Sequence, residues 1–257
     1  MFFTLSLISV LAAAAHSQSL RGIVPKVPYP KNILEGDTVN CESWKFAVET
    51  NNIRSWTTIP TSCLKYVQDY MNGPRYAADC NAVAGYAIEY AQNVSISHGS
   101  RAGKDAWIFD VDETLLSNLP YYKTVGGYGS KVFNETSFNE WVAKAAAPAI
   151  PSSLKFYRQL LPLGFRVIFM TGRSEDQRSS TEKNLKAAGF GFWEMLILRG
   201  SDDEGKTAEL YKSERRAWLE SSGYKIHGNS GDQWSDLACT PLATRSFKLP
   251  NPMYYVA

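Results

Sequence analysis

The chain has 257 residues, 44% of them hydrophobic and 20% charged, with a formal net charge of +2. That length suits one domain of ordinary α/β size with room for an appendage, and the composition is that of a globular protein. So small a net charge gives no electrostatic footprint for nucleic acid or for an anionic membrane surface, and neither is expected as a partner.

Residues 1–17 open with Phe2, Phe3, Leu5, Leu7, Ile8, Val10 and Leu11, followed by Ala12 to Ala15 and Ser17. The run is too short to span a bilayer and ends in small residues, the pattern of a secretory signal peptide, although it lacks a basic n-region. Two acceptor sequons, Asn93-Val94-Ser95 and Asn134-Glu135-Thr136, fit passage through a secretory pathway. Cys41, Cys63, Cys80 and Cys239 form an even set without the close pairing of a zinc site. If all pair internally, Cys239 must bridge to one of the other three and tie the N-terminal region to the end of the core. The processed protein is expected in an extracellular or vacuolar compartment, with no membrane attachment.

Residues 18–100 read as an N-terminal arm and helical appendage. Pro25, Pro28 and Pro30 argue for an extended arm. From about Cys41 to Ala91 helical patterns dominate, broken at Asn72-Gly73-Pro74, with a stripe of Tyr66, Tyr70, Ala77, Ala84, Tyr86, Ala87 and Tyr90 expected to face the core.

Residues 101–257 read as the core. Trp107-Ile108-Phe109 is the bulky run of a strand buried on both faces of a parallel sheet, and Asp110 and Asp112 follow it at once. In an open α/β sheet the crevice beyond the carboxyl ends of the strands is where ligands sit, so these two acids stand where chemistry is done. Residues 118–150 then form an insertion with Gly126, Gly127 and Gly129 as turn punctuation and a short helical pattern around Phe138 to Ala145. A segment this long between strands is expected to act as a lid or specificity loop.

Regular alternation follows. A helix from Pro151 ends at Gly164, and Phe165 to Met170 is a second buried strand delivering Thr171-Gly172-Arg173. A helix from about Glu175 to Ala188 leads to a third strand over Glu194 to Leu198. Another, from about Thr207 to Ser221, leads to a fourth over Tyr224 to His227, whose exit carries Asp232 and Asp236. This rhythm predicts a doubly wound parallel sheet, the α/β class.

Four acids in one crevice repel one another unless a cation intervenes, and hard oxygen ligands suit Mg²⁺. A metal with open positions favours an anionic substrate. Thr171 with nearby backbone N–H groups, and Arg173 with its fork of donors, suit phosphate oxygens. A lysine before the fourth strand, best Lys212 with Lys206 as rival, completes the neutralisation. His227, on a strand, is read as a packed core residue.

Asp110-x-Asp112-x-Thr114, Thr171 at a strand end, a lysine, and Gly231-Asp232-x-x-x-Asp236 resemble the four motifs of the haloacid dehalogenase superfamily. More closely, Phe109 to Asn118, Tyr211-Lys212-Ser213-Glu214-Arg215, and Gly228 to Leu237 resemble plant acid phosphatases and vegetative storage proteins, which are related to bacterial class B acid phosphatases. The resemblance implies a Rossmann-like core with a short cap, and Asp110 as nucleophile forming an aspartyl-phosphate. It implies Asp112 as general acid and then general base, with Mg²⁺ held by the Asp110 side chain, the Asp112 carbonyl and Asp232, and Asp236 behind them. Thr171, Gly172 and Lys212, with Arg173, would hold the phosphoryl oxygens of a small phosphomonoester. A storage protein with little activity is the alternative, and Asp110 argues for the enzyme. A homodimer is left open.

Overall fold

A computed structural model describes residues 38–98 and 103–257. The expected signal peptide and proline-rich arm lie outside the described residues. In chain order the elements are α1 (Thr38–Glu49), α2 (Leu64–Asn72), α3 (Pro74–His98), β1 (Lys104–Phe109), α4 (Leu119–Thr124), α5 (Glu135–Ala143), α6 (Pro151–Leu163), β2 (Arg166–Ser174), α7 (Arg178–Ala187), β3 (Met195–Arg199), α8 (Ala208–Ser221), β4 (Tyr224–Gly231), α9 (Trp234–Leu237) and β5 (Arg245–Lys248). The five strands form one sheet in the order β3-β2-β1-β4-β5, and every pairing is parallel.

The central strand shows why the apolar run is continuous. Trp107 and Phe109 join the core on one face of the sheet, while Ala106 and Ile108 join the core on the other. Successive side chains alternate faces, so only a strand covered on both sides keeps all of them apolar. Trp107 is wholly buried, and its ring lies against the backbone of β4 so closely that a Cβ at position 228 would come within 2.4 Å of it. Only Gly228 fits that crossing. The chain winds from β1 outward through β2 to β3, then returns to the other side of β1 as β4. The switch point is therefore between β1 and β4, at whose carboxyl ends a crevice must open.

The helical reading of the N-terminal region holds, including the break at Gly73, but the buried stripe differs. Cys80, Ala84, Ala87, Ala91 and Val94 of α3 are buried at three- and four-residue steps, whereas Tyr86 is 62% exposed and Ala77 is also at the surface. Small residues line this face because α3 packs directly against α6, where tyrosines would hold the helices apart. Of the sequon residues, Asn93 is exposed on α3, and Asn134 is exposed at the N-cap of α5.

The cysteine expectation is corrected. Cys41 and Cys63 form a disulfide across a sequence separation of 22, while Cys80 is a buried thiol and Cys239 an exposed one. No bridge ties Cys239 to the N-terminal region. That tie is made by hydrogen bonds instead: Trp234 Nε1 donates to the Glu49 carbonyl at 3.0 Å, and Lys248 Nζ reaches Glu49 Oε2 at 2.7 Å. The fifth strand, Arg245–Lys248, has no counterpart in the sequence reading. It is a short edge strand with one buried residue, Phe247, and so shows no apolar run. Among the described residues no helix is long and apolar enough to cross a membrane.

Candidate active site

The Asp110 amide N–H donates to the Ser230 carbonyl at 2.9 Å, extending the β1–β4 ladder by one rung to the crevice floor. The chain then turns sharply. Leu115 and Leu116 both donate to the Val111 carbonyl, and Glu113 adopts a left-handed φ of 52°. This turn lets two acids separated by one residue approach the same crevice instead of opposite faces of a strand.

From α8, Lys212 reaches in. Its ammonium lies 2.6 Å from Asp110 Oδ1 and also bonds Asp236 Oδ1. Lys206 pairs with Asp203 and Glu214 instead and does not line the cavity that Lys212 borders. Asp236 also accepts from the Gln233 amide at 2.9 Å, and a Cβ at Gly231 would come within 2.4 Å of its carboxylate. Both Asp236 oxygens therefore have protein donors, and its place is behind the lysine. Asp232 Oδ2 accepts from Gln233 Nε2 and from Asn251 Nδ2, each at 2.7 Å, leaving Oδ1 with a long contact of 3.4 Å to the Thr114 hydroxyl.

A cavity of about 490 Å³ opens over these groups, lined by the charged Asp110, Asp112, Lys212 and Asp232 and by the aromatic Trp56, Phe133, Phe138 and Tyr254. It falls in the size range of small-molecule sites. Gly172 also borders it. Thr171 is fully buried at the end of β2, its hydroxyl accepting from the Arg173 amide at 3.2 Å.

Arg173 differs from its expected role. Its guanidinium is bidentate on Asp112, Nε to Oδ2 at 3.0 Å and Nη2 to Oδ1 at 2.7 Å, and Nη1 donates to Thr181 at 3.1 Å. With its donors so committed it faces the acid instead of offering a fork to phosphate. His227 pairs with Asp105, near the start of β1, at 2.5 Å. It is a buried strand residue remote from the crevice floor, as read.

The electrostatics follow from burial and from neighbours. Burial drives Asp110 well above the usual carboxylate range, with Lys212 opposing it and Asp236 and Asp232 adding to it. Burial, then Asp236, pushes Asp232 up to about 8. Burial would raise Asp112 too, but the Arg173 charge and hydrogen bonds outweigh it and hold it below its ordinary value. Burial tends to lower Lys212, yet Asp110 and Asp236 win and raise it, so the ammonium is permanent.

Oxygens of Asp110, Asp232 and Asp236 lie within 4.8 Å of one another. Three buried carboxylates and one lysine gather here, all the donors are hard oxygens, and burial, with the neighbouring acids adding to it, pushes Asp110 and Asp232 up. A divalent cation would relieve this, so the donor set fits a metal such as Mg²⁺.

Several contributors were not visible in the sequence. Buried Glu113 accepts from the Asn118 amide at 2.6 Å and from the Tyr254 hydroxyl, and Asn118 Nδ2 donates to Asp112 at 2.7 Å. Asn118 stands within the motif stretch after Asp110, which was its only signal. Asn251 and Trp56 carry none, because they reach the site only through tertiary folding.

A family model described as HAD superfamily, subfamily IIIB (Acid phosphatase) matches residues 30–257. Among curated proteins the chain is 54% identical to Acid phosphatase 1 of Solanum lycopersicum, over 90% of this chain and 88% of that one. It is 46% identical to the Stem 31 kDa glycoprotein of Glycine max over 85% and 84% of the two chains. With Vegetative storage protein 2 of Arabidopsis thaliana it shares 36% identity over 98% of each. Among solved structures, the class C acid phosphatase from Bacillus anthracis aligns with a TM-score of 0.62 at 22% identity, covering 75% of this chain and 84% of that one, a likeness of fold.

Proposed function

The chain belongs to the acid phosphatases of HAD superfamily subfamily IIIB, and on that premise we propose that it hydrolyses small phosphomonoesters with Mg²⁺ through an aspartyl-phosphate on Asp110. The observation that carries this reading is the placement of Asp110, with Lys212 at 2.6 Å from its carboxylate, in a cavity at the sheet's switch point. In the first half-reaction an Asp110 oxygen bonds phosphorus as the ester P–O bond breaks, and Asp112 delivers a proton to the departing oxygen. In the second, water attacks the phosphorus of the acyl phosphate, Asp112 takes its proton, and inorganic phosphate leaves with Asp110 restored.

Lys212, with the Thr171 and Gly172 region of the β2 exit, binds the phosphoryl oxygens. Arg173 orients Asp112 and keeps it ionised in the resting site, the form needed to accept water's proton. A phosphoryl group entering beside Asp112 adds negative charge and raises its proton affinity, which favours the acid form for the first step. Asp110, Asp232 and the Asp112 carbonyl would hold Mg²⁺, with Asp236 anchoring Lys212 behind them. When bound, Mg²⁺ neutralises the charge gathered on the phosphoryl oxygens.

A protein of the secretory pathway, extracellular or vacuolar and glycosylated at Asn93 and Asn134, is supported by the Cys41–Cys63 disulfide and the exposure of both asparagines. Likeness to a vegetative storage protein keeps nitrogen storage as the second reading. Hydrolysis of an aryl phosphate with Mg²⁺, and after chelation, separates the two. Turnover that chelation abolishes and Mg²⁺ restores supports the enzyme, and an inert protein supports storage.

A further inference from the structure

Helix α5, within the insertion, lines the cavity and reaches, through Asn118, the group proposed to protonate the leaving oxygen. Phe138 lines the cavity wall and packs edge-on against Tyr121 at 5.4 Å. Three residues later, on the same helical face, Trp141 directs its indole N–H at Asn118, with Nε1 to Oδ1 at 2.8 Å. The other end of that amide, Nδ2, donates to Asp112 Oδ1 at 2.7 Å and to Glu113 Oε2 at 3.2 Å. An indole can only donate and the Asp112 carboxylate can only accept, so both ends of the amide are assigned without ambiguity. Asn118 is fully buried, and its backbone N–H is bonded to Glu113 Oε1 at 2.6 Å. Its side chain cannot turn without breaking bonds at both ends. Asp112 is thus gripped by Arg173 from the β2 side and by Asn118 from the insertion side.

We infer that Trp141 is a positioning residue for Asp112, acting through Asn118, and that α5 couples contact with the leaving group at Phe138 to the aim of the carboxyl that protonates it. The inference rests on the reading of Asp112 as general acid. Proton delivery needs the acid aligned within hydrogen-bond reach of the departing oxygen, so loosening its aim costs most where the leaving group most needs the proton. Alkyl phosphomonoesters are that class, whereas an activated aryl phosphate departs without help.

The test is a leaving-group series on the full chain with Mg²⁺: glycerol phosphate, phenyl phosphate and nitrophenyl phosphate, with wild type, W141F, F138A and D112N. Phenylalanine keeps the ring and removes only the N–H. W141F should lower kcat about five-fold on glycerol phosphate, the equivalent of one hydrogen bond, and less than about two-fold on nitrophenyl phosphate. Its Tm should stay within a few degrees of wild type. F138A should raise KM for all three esters and, if α5 couples the two contacts, lower kcat more on glycerol phosphate than on nitrophenyl phosphate; a KM effect alone would overturn the part assigned to Phe138. Equal kcat losses for W141F across the series would make Trp141 merely structural and overturn the inference, as would no loss at all. D112N steep across the series with W141F flat would sink this coupling alone. A flat D112N would remove the general-acid reading and the coupling with it.

Discussion

The Lys212 ammonium lies 2.6 Å from the Asp110 carboxylate, a residue 102 positions earlier in the chain. Since it also bonds Asp236 and all three side chains are buried, removing it leaves two buried acids without their cation. Lys212→Met should destabilise the metal-free protein by about 3 kcal/mol in denaturant unfolding. Turnover should fall by orders of magnitude, while Lys206→Met, a change to a peripheral ion pair, should leave kcat within about two-fold. Matching losses in the two variants would show that the active-site lysine is misassigned.

For the nucleophile, Asp110→Asn is nearly isosteric but a very poor nucleophile. Turnover should drop at least a thousand-fold or so, with the far-ultraviolet circular dichroism of wild type. Retention of about a tenth of the activity would exclude Asp110 from that role.

Stability should depend on pH through two acids. Burial, aided by Asp236, pushes Asp232 up to about 8, and burial beside Asp112 pushes Glu113 up to about 8. In the unfolded chain both return to about 4. Between these values the folded protein holds protons that the unfolded chain has lost, so stability falls as pH rises from about 4 to about 8. Metal-free protein should melt several degrees higher at about pH 5 than at about pH 8. Saturating Mg²⁺, which prefers ionised Asp232, should flatten or reverse the slope. Metal-free protein that melts higher at the alkaline end would mean that both acids are ionised in the fold.

Asn251 fixes Asp232 from behind. Its carbonyl oxygen accepts from the Met253 amide at 2.9 Å, which aims the Nδ2 donor at Asp232. Asn251→Ala should weaken Mg²⁺ binding, measured by calorimetry, by roughly 10- to 100-fold, the usual effect of losing a group that orients a ligand. Unchanged affinity would place Asp232 outside the metal shell.

Peptide mapping without reduction should find Cys41 joined to Cys63 and recover Cys80 and Cys239 as thiols. Cys41→Ser with Cys63→Ser should cost roughly 3 kcal/mol, as expected for a loop of this size. Cys239→Ser should cost nothing measurable. A peptide containing Cys239 linked to any other cysteine would contradict the pairing found here.

What the sequence revealed and what it hid divide along a physical line. Strands β1 to β4 were legible from their apolar runs, and helices α6 to α8 from their period and from end signals such as Gly164 after α6 and Thr207 before α8. Asp110, Asp112, Asp232 and Asp236 were legible because strand ends in such a sheet converge by topology. Arg173 was misjudged because its partner, Asp112, lies 61 residues away and competes for the same donors. Asn251 and Trp56 left no trace, since nothing local distinguishes a loop asparagine or tryptophan that folds onto a site from one that does not. The cysteine pairing was hidden for a different reason: an even count limits the connectivities without selecting one.

The Glu49 contacts also bear on how the protein fails when heated. Its carbonyl holds Trp234, its carboxylate holds Lys248, and Lys248 in turn donates to the Asp232 carbonyl at 2.7 Å. Helix α1 is thereby fastened to the loop that presents Asp232, yet α1 and α2 share a cluster separate from the one that α3 joins beneath the sheet. A segment with its own small core can detach at a lower temperature than the sheet melts. Heat inactivation would then begin as the release of the first helices, leaving a folded but idle sheet, and amide exchange in α1 should quicken before that in β1.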